Sequence, residues 1–123
     1  MKFDDLSNKV IGCALMVHRE LGPGLLESTY ERCLCYELSK AGIRFERQKE
    51  LPVQYQDVTI DCGYRIDILV EGRLIIELKS VEQLLRIHEA QLLTYMKLSA
   101  VQIGLLINFN SVLLRDGIKR LVL

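Results

Sequence analysis

The sequence has no tryptophan, only two prolines, and no apolar run that could cross a membrane. A membrane-spanning helix needs about 18 or more consecutive apolar residues, and no segment approaches that length. The first ten residues, MKFDDLSNKV, contain two aspartates and two lysines and lack the apolar centre of a secretory signal. We therefore expect a soluble, cytoplasmic protein that does not associate with membranes.

An excess of either charge is also missing. Sixteen basic and sixteen acidic residues balance, so the formal net charge is +0. A protein without a global positive field has no general attraction for nucleic acid. The balance therefore disfavours tight, nonspecific binding of nucleic acid but is compatible with a local basic site.

The four cysteines form no CxxC pair and have no histidine at a zinc-site spacing. We interpret Cys13, Cys33, Cys35 and Cys62 as buried thiols in a reducing compartment. At 123 residues, half of them apolar, the chain is predicted to be one domain that folds without metal or disulfide staples.

Apolar residues at helical spacing predict three helices. Ser7 is the expected N-cap of the first, and a Gly-Pro-Gly turn ends it. In the third, Gln91 interrupts a stripe made by Leu84, Ile87, Tyr95 and Leu98. The predicted helices cover Leu6–Leu21, Leu25–Lys40 and Leu84–Leu98.

Strands are predicted between and after these helices, and the first can break at Pro52. The last segment, VLLRDGIKRLVL, is typical of a hairpin that turns at Asp116-Gly117. The order ααβββαβ followed by a hairpin predicts an α/β fold with helices on a mixed sheet. The predicted strands are Phe45–Tyr55, Thr59–Val70, Arg73–Ser80 and Val101–Asn108.

The stretch GYRIDILVEGRLIIELK predicts a hairpin whose loop length decides which side chains share a face. A two-residue turn would send the two apolar sets to opposite faces. A three-residue loop, with Gly72 in a left-handed conformation, brings both sets to one face. Burial of seven apolar side chains at about 1.5–3 kcal/mol each outweighs the turn preference. The two sets are Tyr64, Ile66, Ile68 and Val70, and Leu74, Ile76 and Leu78.

The three-residue loop places Arg65, Asp67, Glu77 and Lys79 together on the other face. One interpretation is a solvated face with weak surface ion pairs. The other is a partly covered metal or catalytic site, because buried carboxylates must be paired or bind a metal. The residues alone leave both interpretations open.

Gln91 and Glu27 each have an ordinary and a functional explanation. Gln91 is either an edge residue that bonds to the backbone or a buried amide that contacts Lys79 or a ligand. Glu27, in the first turn of the second helix, is ordinarily just favourable to the helix dipole. His18 and His88 are predicted to be structural or exposed.

Three motifs together resemble the PD-(D/E)xK nuclease superfamily. Asp67 followed after ten residues by Glu77-Leu78-Lys79 resembles its D…(D/E)xK signature, and Gln91 with Tyr95 matches the QxxxY helix motif. The segment GLLESTY, with Gly24, Glu27 and Tyr30, resembles the GxxExxY proteins within that superfamily. The resemblance covers nearly the whole chain and departs where Ile66, rather than proline, precedes the aspartate.

The resemblance implies a restriction-endonuclease-like αβββαβ core with a mixed central sheet, an extra N-terminal helix and a C-terminal β-hairpin. It also implies a Mg²⁺ or Mn²⁺ ion, which suits oxygen ligands. In such a site Lys79 orients water or stabilises charge on the phosphate, with Gln91 as a further catalytic residue. The implied metal ligands are Asp67, Glu77, the Leu78 carbonyl and Glu27, and the implied substrate or support residues are Tyr95, Tyr30 and Arg65.

The expected function is metal-dependent hydrolysis of DNA or RNA phosphodiesters. The alternative is a nuclease-fold binding or assembly module without catalysis, which the neutral charge and small size favour. These features are also compatible with a homodimer or protein partner that supplies the substrate platform. The residues available to form a local basic cleft are Arg44, Arg47, Lys49, Arg65 and Arg86.

Overall fold

The computed structural model describes residues 4–123, which form three helices: α1 (Asp5–Leu21), α2 (Glu27–Lys40) and α3 (Arg86–Ser99). The predicted N-cap of α1 is wrong by three residues. Asp4 is the cap and accepts the Ser7 N–H at 3.0 Å, while the buried Ser7 hydroxyl donates to the same carboxylate. An aspartate before the helix is as good a cap as a serine, and it satisfies an otherwise unpaired N–H.

A five-stranded mixed sheet has the order β1-β4-β5-β6-β7, and β2 and β3 form a separate two-stranded ribbon. Two of the predicted strands, Phe45–Tyr55 and Thr59–Val70, are each divided in the structure. The first is interrupted at Pro52, which cannot donate to a ladder, and the second by an exposed loop over residues 61–64. The strands are β1 (Phe45–Glu50), β2 (Val53–Tyr55), β3 (Val58–Ile60), β4 (Arg65–Val70), β5 (Leu74–Lys79), β6 (Ile103–Asn108) and β7 (Ile118–Val122).

The three-residue loop of the central hairpin is confirmed. Val70 pairs with Leu74 and Ile68 with Ile76, which leaves residues 71–73 as the loop, and Gly72 has φ 64°. Glu71 also has a positive φ, 53°, which the sequence did not predict. A backbone bond from the Arg73 N–H to the Val70 carbonyl, at 2.9 Å, closes the turn.

The predicted grouping of seven apolar side chains on one face is correct for five of them. Ile68, Val70, Leu74, Ile76 and Leu78 pack in one cluster with α1 and α2. Tyr64 is exposed, and Ile66 packs in the opposite cluster with α3. The regular alternation of β4 is lost around Asp67, which lies between Ile66 and Ile68.

Helices cover the sheet on both faces, as expected for this class. The α3 stripe is different from the prediction: Leu92, Tyr95 and Met96 are buried, whereas Ile87 and Gln91 are exposed. Gly104 of β6 permits this contact, because a Cβ there would lie 2.7 Å from the Met96 sulfur. The architecture is restriction-endonuclease-like, and no helix within residues 4–123 is long and apolar enough to span a bilayer.

The C-terminal strand pair is β6 and β7, which run antiparallel with Ile107 opposite Ile118. The predicted turn position is wrong, since Asp116 and Gly117 lie in a 3-10 turn, Leu114–Gly117, before β7. A Cβ at Gly117 would lie 2.6 Å from the Asn108 carbonyl, so the close approach of two backbones favours glycine there.

The prediction that all four thiols are buried is correct only for Cys35. Cys13 and Cys33 are partly exposed between α1 and α2, and Cys62 is exposed in the loop before β4. Both histidines make structural contacts. His18 Nε2 lies 2.8 Å from the Ser111 carbonyl, and His88 Nδ1 accepts the Leu85 N–H at the beginning of α3.

Candidate active site on the central strands

The candidate site lies where the backbone pairing of β4 and β5 ends and a side chain of β4 bonds to the backbone of β5 instead. The pairs run from Val70–Leu74 to Ile68–Ile76. At the next position Oδ2 of Asp67 accepts the backbone N–H of Leu78 at 2.8 Å. A carboxylate therefore takes the place of a strand carbonyl and holds Asp67 against β5.

Glu77 is buried, with 6% of its surface exposed, on the face of β5 opposite Leu78. Its Oε1 is fully buried and receives no hydrogen bond from any residue in the range 4–123. The pKa of Glu77 is raised to about 10, first by burial and then by the adjacent Asp67 carboxyl. The Asp67 backbone N–H and the Lys79 ammonium offset only part of this rise.

A third acid, Glu31 of α2, connects to the same site. It is as buried as Glu77, but Arg47 donates to its Oε2 at 3.1 Å and Gln48 donates to its Oε1 at 2.7 Å. The same Gln48 nitrogen lies 3.3 Å from Oδ1 of Asp67. The chain Arg47–Glu31–Gln48–Asp67 thus joins α2, β1 and β4.

Tyr95 of α3 lies near these carboxylates and is hydrogen-bonded to Gln91. Gln91 donates to the Tyr95 hydroxyl at 3.1 Å, and the tilted ring of Tyr64 lies 6.2 Å from that of Tyr95. Burial raises the pKa of Tyr95, and the charge of Glu77 raises it too. Tyr95 is therefore close enough to Glu77 for that charge to affect its pKa, whereas the exposed Gln91 is connected to the site only through the Tyr95 hydroxyl.

The GLLESTY segment forms the turn before α2 and the first residues of that helix. Tyr30 is buried, stacks on Phe109 at 4.5 Å, donates to the Gly22 carbonyl and accepts the Leu25 N–H. It therefore supports the turn before α2, where Gly24 has φ 100°. Glu27 is exposed at the beginning of α2, one turn before Glu31.

Four of the five residues available to form a basic cleft make ion pairs. Arg65 lies 3.6 Å from Glu50, and its guanidinium also contacts the Gln48 carbonyl. These pairs reduce the positive charge that the residues present to a polyanion. The other three pairs are Arg44–Glu71, Arg47–Glu31 and Lys49–Glu46.

Within the described chain, no group of three or more His, Cys, Asp or Glu side chains has an arrangement suited to a metal ion. Asp67 and Glu77 nonetheless fit a hard divalent cation, because both provide oxygen and the buried Oε1 of Glu77 has its lone pairs unused. A cation beside them would also offset the repulsion between the two acids. The pair is thus chemically suited to a metal. Any further ligands would come from the backbone or from the substrate.

Sequence reasoning did not identify Glu31 or Gln48. Glu31 had a signal, because it precedes Leu34 and Leu38 at helical spacing and thus interrupts the apolar stripe of α2. Gln48 had none, since its place in the network depends on a left-handed backbone that is not typical of a strand.

A family model described as the PD-(D/E)XK nuclease superfamily matches residues 4–121. The match includes every element described above except the last residue of β7. No curated protein and no solved structure matches the chain.

Proposed function

Because the chain belongs to the PD-(D/E)XK nuclease superfamily, we propose that it is a metal-dependent nuclease that hydrolyses phosphodiester bonds in DNA or RNA. The observation that carries this proposal is the unpaired, buried Oε1 of Glu77 next to Asp67. A buried acceptor without a partner costs about 1–3 kcal/mol, and a bound cation would recover that cost. The short motif GLLESTY supports assignment to the GxxExxY branch.

In the proposed site Asp67 and Glu77 would hold Mg²⁺ or Mn²⁺, and the Leu78 carbonyl would provide a further oxygen. A bound ion of this kind stabilises negative charge on the phosphate and lowers the pKa of water. Lys79, two residues after Glu77 on the same face of β5, stabilises charge that develops on the phosphate. Tyr95, held by Gln91, is proposed to position Lys79 or substrate.

The second candidate is a binding or assembly module without catalysis. The ion pairs made by Arg44, Arg47, Lys49 and Arg65 favour it, since these cations are already partnered by acids. A nuclease with this surface would contact only a few phosphates of its substrate, or would need a second chain that contributes basic residues. Both candidates predict association with nucleic acid or with a protein that binds it.

Titration calorimetry with Mn²⁺ tests the proposed metal site, using the wild type, Asp67→Asn and Glu77→Gln. Asp57→Asn is the matched control, because it removes one acid from the exposed turn between β2 and β3. The nuclease proposal expects saturable binding that is lost in the two site variants and retained in the control. Equal weak binding by all four proteins contradicts the metal site.

Cleavage of single-stranded DNA, double-stranded DNA and RNA then tests catalysis. We expect Lys79→Met to reduce cleavage by about 100-fold, because it removes a charge that acts on the developing phosphate charge. Mn²⁺ binding by Lys79→Met should persist. If metal binds and no substrate is cleaved, the module interpretation replaces the nuclease.

A further inference from the structure

Gln48 has an unusual backbone for the middle of a strand. Its neighbours remain in register with β4, with Arg47 opposite Ile68 and Lys49 opposite Ile66, yet Gln48 has φ 54°. The left-handed region is unfavourable for a residue with a Cβ and is retained only where surrounding contacts require it. A left-handed residue within β1 therefore requires a contact that compensates for the unfavourable backbone.

The side chain of Gln48 makes that contact. Successive side chains of a regular strand point to opposite faces, so Arg47 and Gln48 should not reach the same group. Both nevertheless donate to Glu31, at 3.1 Å and 2.7 Å. The left-handed residue breaks the alternation and turns the amide of Gln48 towards the site.

The amide nitrogen then bridges two acids. Nε2 of Gln48 lies 2.7 Å from Oε1 of Glu31 and 3.3 Å from Oδ1 of Asp67. Ionised carboxylates only accept hydrogen bonds, so the donor end of the amide must face them. Together with the Leu78 N–H on Oδ2, this contact gives each oxygen of Asp67 its own donor.

We propose that Gln48 is the positioning residue of the carboxylate pair: it fixes Asp67 beside Glu77 in the orientation that binds the metal. The metal-binding part of this inference rests on the proposed function, whereas the orientation of Asp67 does not. Hydrogen-bond partners of metal ligands commonly change metal affinity by about 10–100-fold when they are removed.

The test uses Gln48→Gly, which suits a positive φ and removes the whole side chain together with its amide. The matched control is Gln56→Gly, because Gln56 is also a glutamine with a left-handed backbone, φ 52°, but lies in the exposed turn after β2. Gln48→Asn is the second variant, since asparagine tolerates this φ and its shorter amide cannot span both acids. Mn²⁺ affinity is measured by calorimetry, and amide exchange of Leu78 and Ile75 by NMR without metal.

Positioning predicts that Gln48→Gly lowers Mn²⁺ affinity by about tenfold or more. It also predicts about tenfold faster exchange of the Leu78 amide, because Asp67 is then free to turn away, with Ile75 unchanged. Gln48→Asn should change both in the same direction, and Gln56→Gly neither. Unchanged Leu78 exchange in Gln48→Gly, or equal effects in Gln56→Gly, would overturn the proposal.

The two proposals can fail separately. If the wild type binds no Mn²⁺, the metal-dependent function is rejected, while faster Leu78 exchange in Gln48→Gly still assigns Gln48 to holding Asp67. If the wild type binds Mn²⁺ and Gln48→Gly binds it equally well with normal exchange, the metal site remains and the role of Gln48 is rejected.

Discussion

Glu31 and Glu77 each expose 6% of their surface, but their surroundings differ. Glu31 accepts a bond from Arg47 on one oxygen and from Gln48 on the other. Glu77 lies beside another acid, and its Oε1 has no donor among residues 4–123. The two carboxyl groups are therefore equally buried, but only Glu31 has hydrogen bonds that compensate for the free energy of burial.

The difference is the one expected between an acid with a structural role and an acid that binds a ligand. A buried carboxylate with two donors contributes to stability, whereas one with an unused oxygen reduces it. Proteins retain such unfavourable groups where a ligand or reaction needs them. The contrast supports a structural role for Glu31 and a ligand-binding role for Glu77, and the same substitution at both positions tests it.

The largest effect on stability is expected from Glu31→Gln. It removes the charge that Arg47 and Gln48 bind and presents an amide N–H₂ to one of these donors. We expect a loss of about 3 kcal/mol in the free energy of unfolding, since hydrogen bonds to charged groups contribute about 1.5–3 kcal/mol each. Urea denaturation at pH 7 measures it.

Glu46→Gln is the control for Glu31→Gln, because it removes the exposed pair with Lys49. Surface pairs contribute about 0–1 kcal/mol, so this variant should remain close to the wild type. If both variants lose a similar free energy of unfolding, the buried contacts of Glu31 contribute no more to stability than a surface ion pair.

Glu77→Gln should have the opposite sign. Without divalent cations at pH 7, we expect it to stabilise the protein by about 2 kcal/mol, because a neutral amide replaces an acid whose burial is unfavourable. The pH dependence follows from the raised pKa, about 10 against an ordinary 4.5. Between these values the unfolded chain has released a proton that the folded protein keeps, so stability falls as pH rises.

Urea denaturation from pH 5 to 9 in a chelator checks this slope. The wild type should lose stability relative to Glu77→Gln as pH increases, and saturating Mn²⁺ should reverse the ranking at pH 7. A variant less stable than the wild type throughout would contradict the view that Glu77 is held at an energetic cost.

Burial and alternation made much of the fold predictable. The apolar sets of the central hairpin selected an odd loop, and that loop brings Asp67 and Glu77 to adjacent strands. Helix ends were less predictable, because Asp4 and Ser7 are both good caps and only tertiary packing decides between them. Ile66 was assigned to the wrong face because the strand becomes irregular at Asp67.

The candidate site was predictable only as far as the motif residues. The motif pointed to Glu27. The buried acid that connects to Asp67, through Gln48, is instead Glu31, four residues later. The conformation of Gln48 could not be inferred, since a positive φ in a strand depends on partners distant in sequence.

Asp4 provides a third carboxylate whose titration should oppose that of Glu77. Burial raises the pKa of Asp4, but hydrogen bonds from Ser7 and Arg120 outweigh it and hold the pKa at about 2. The stability from Asp4 is therefore present above about pH 3.8 and lost as pH falls towards 2. Asp4→Ala should cost about 1 kcal/mol at pH 7, measured by urea denaturation.

Asp4→Asn is the control, since asparagine caps a helix as well as aspartate but carries no charge. It should retain most of the stability at pH 7 and lack the loss between pH 4 and 2. If it is as unstable as Asp4→Ala, the interaction with Arg120, rather than the cap, provides the energy.

The smallest effect on stability is expected from Glu27→Gln, which provides the contrast with Glu31 on the next turn of α2. Glu27 is exposed, and an acid in the first turn contributes about 0.3–1 kcal/mol through the helix dipole, so the loss should stay below 1 kcal/mol. Calorimetry with Mn²⁺ on the same variant tests the ligand role implied by the resemblance. Weaker binding at nearly unchanged stability supports that role, whereas unchanged binding restricts the acids of the metal site to Asp67 and Glu77.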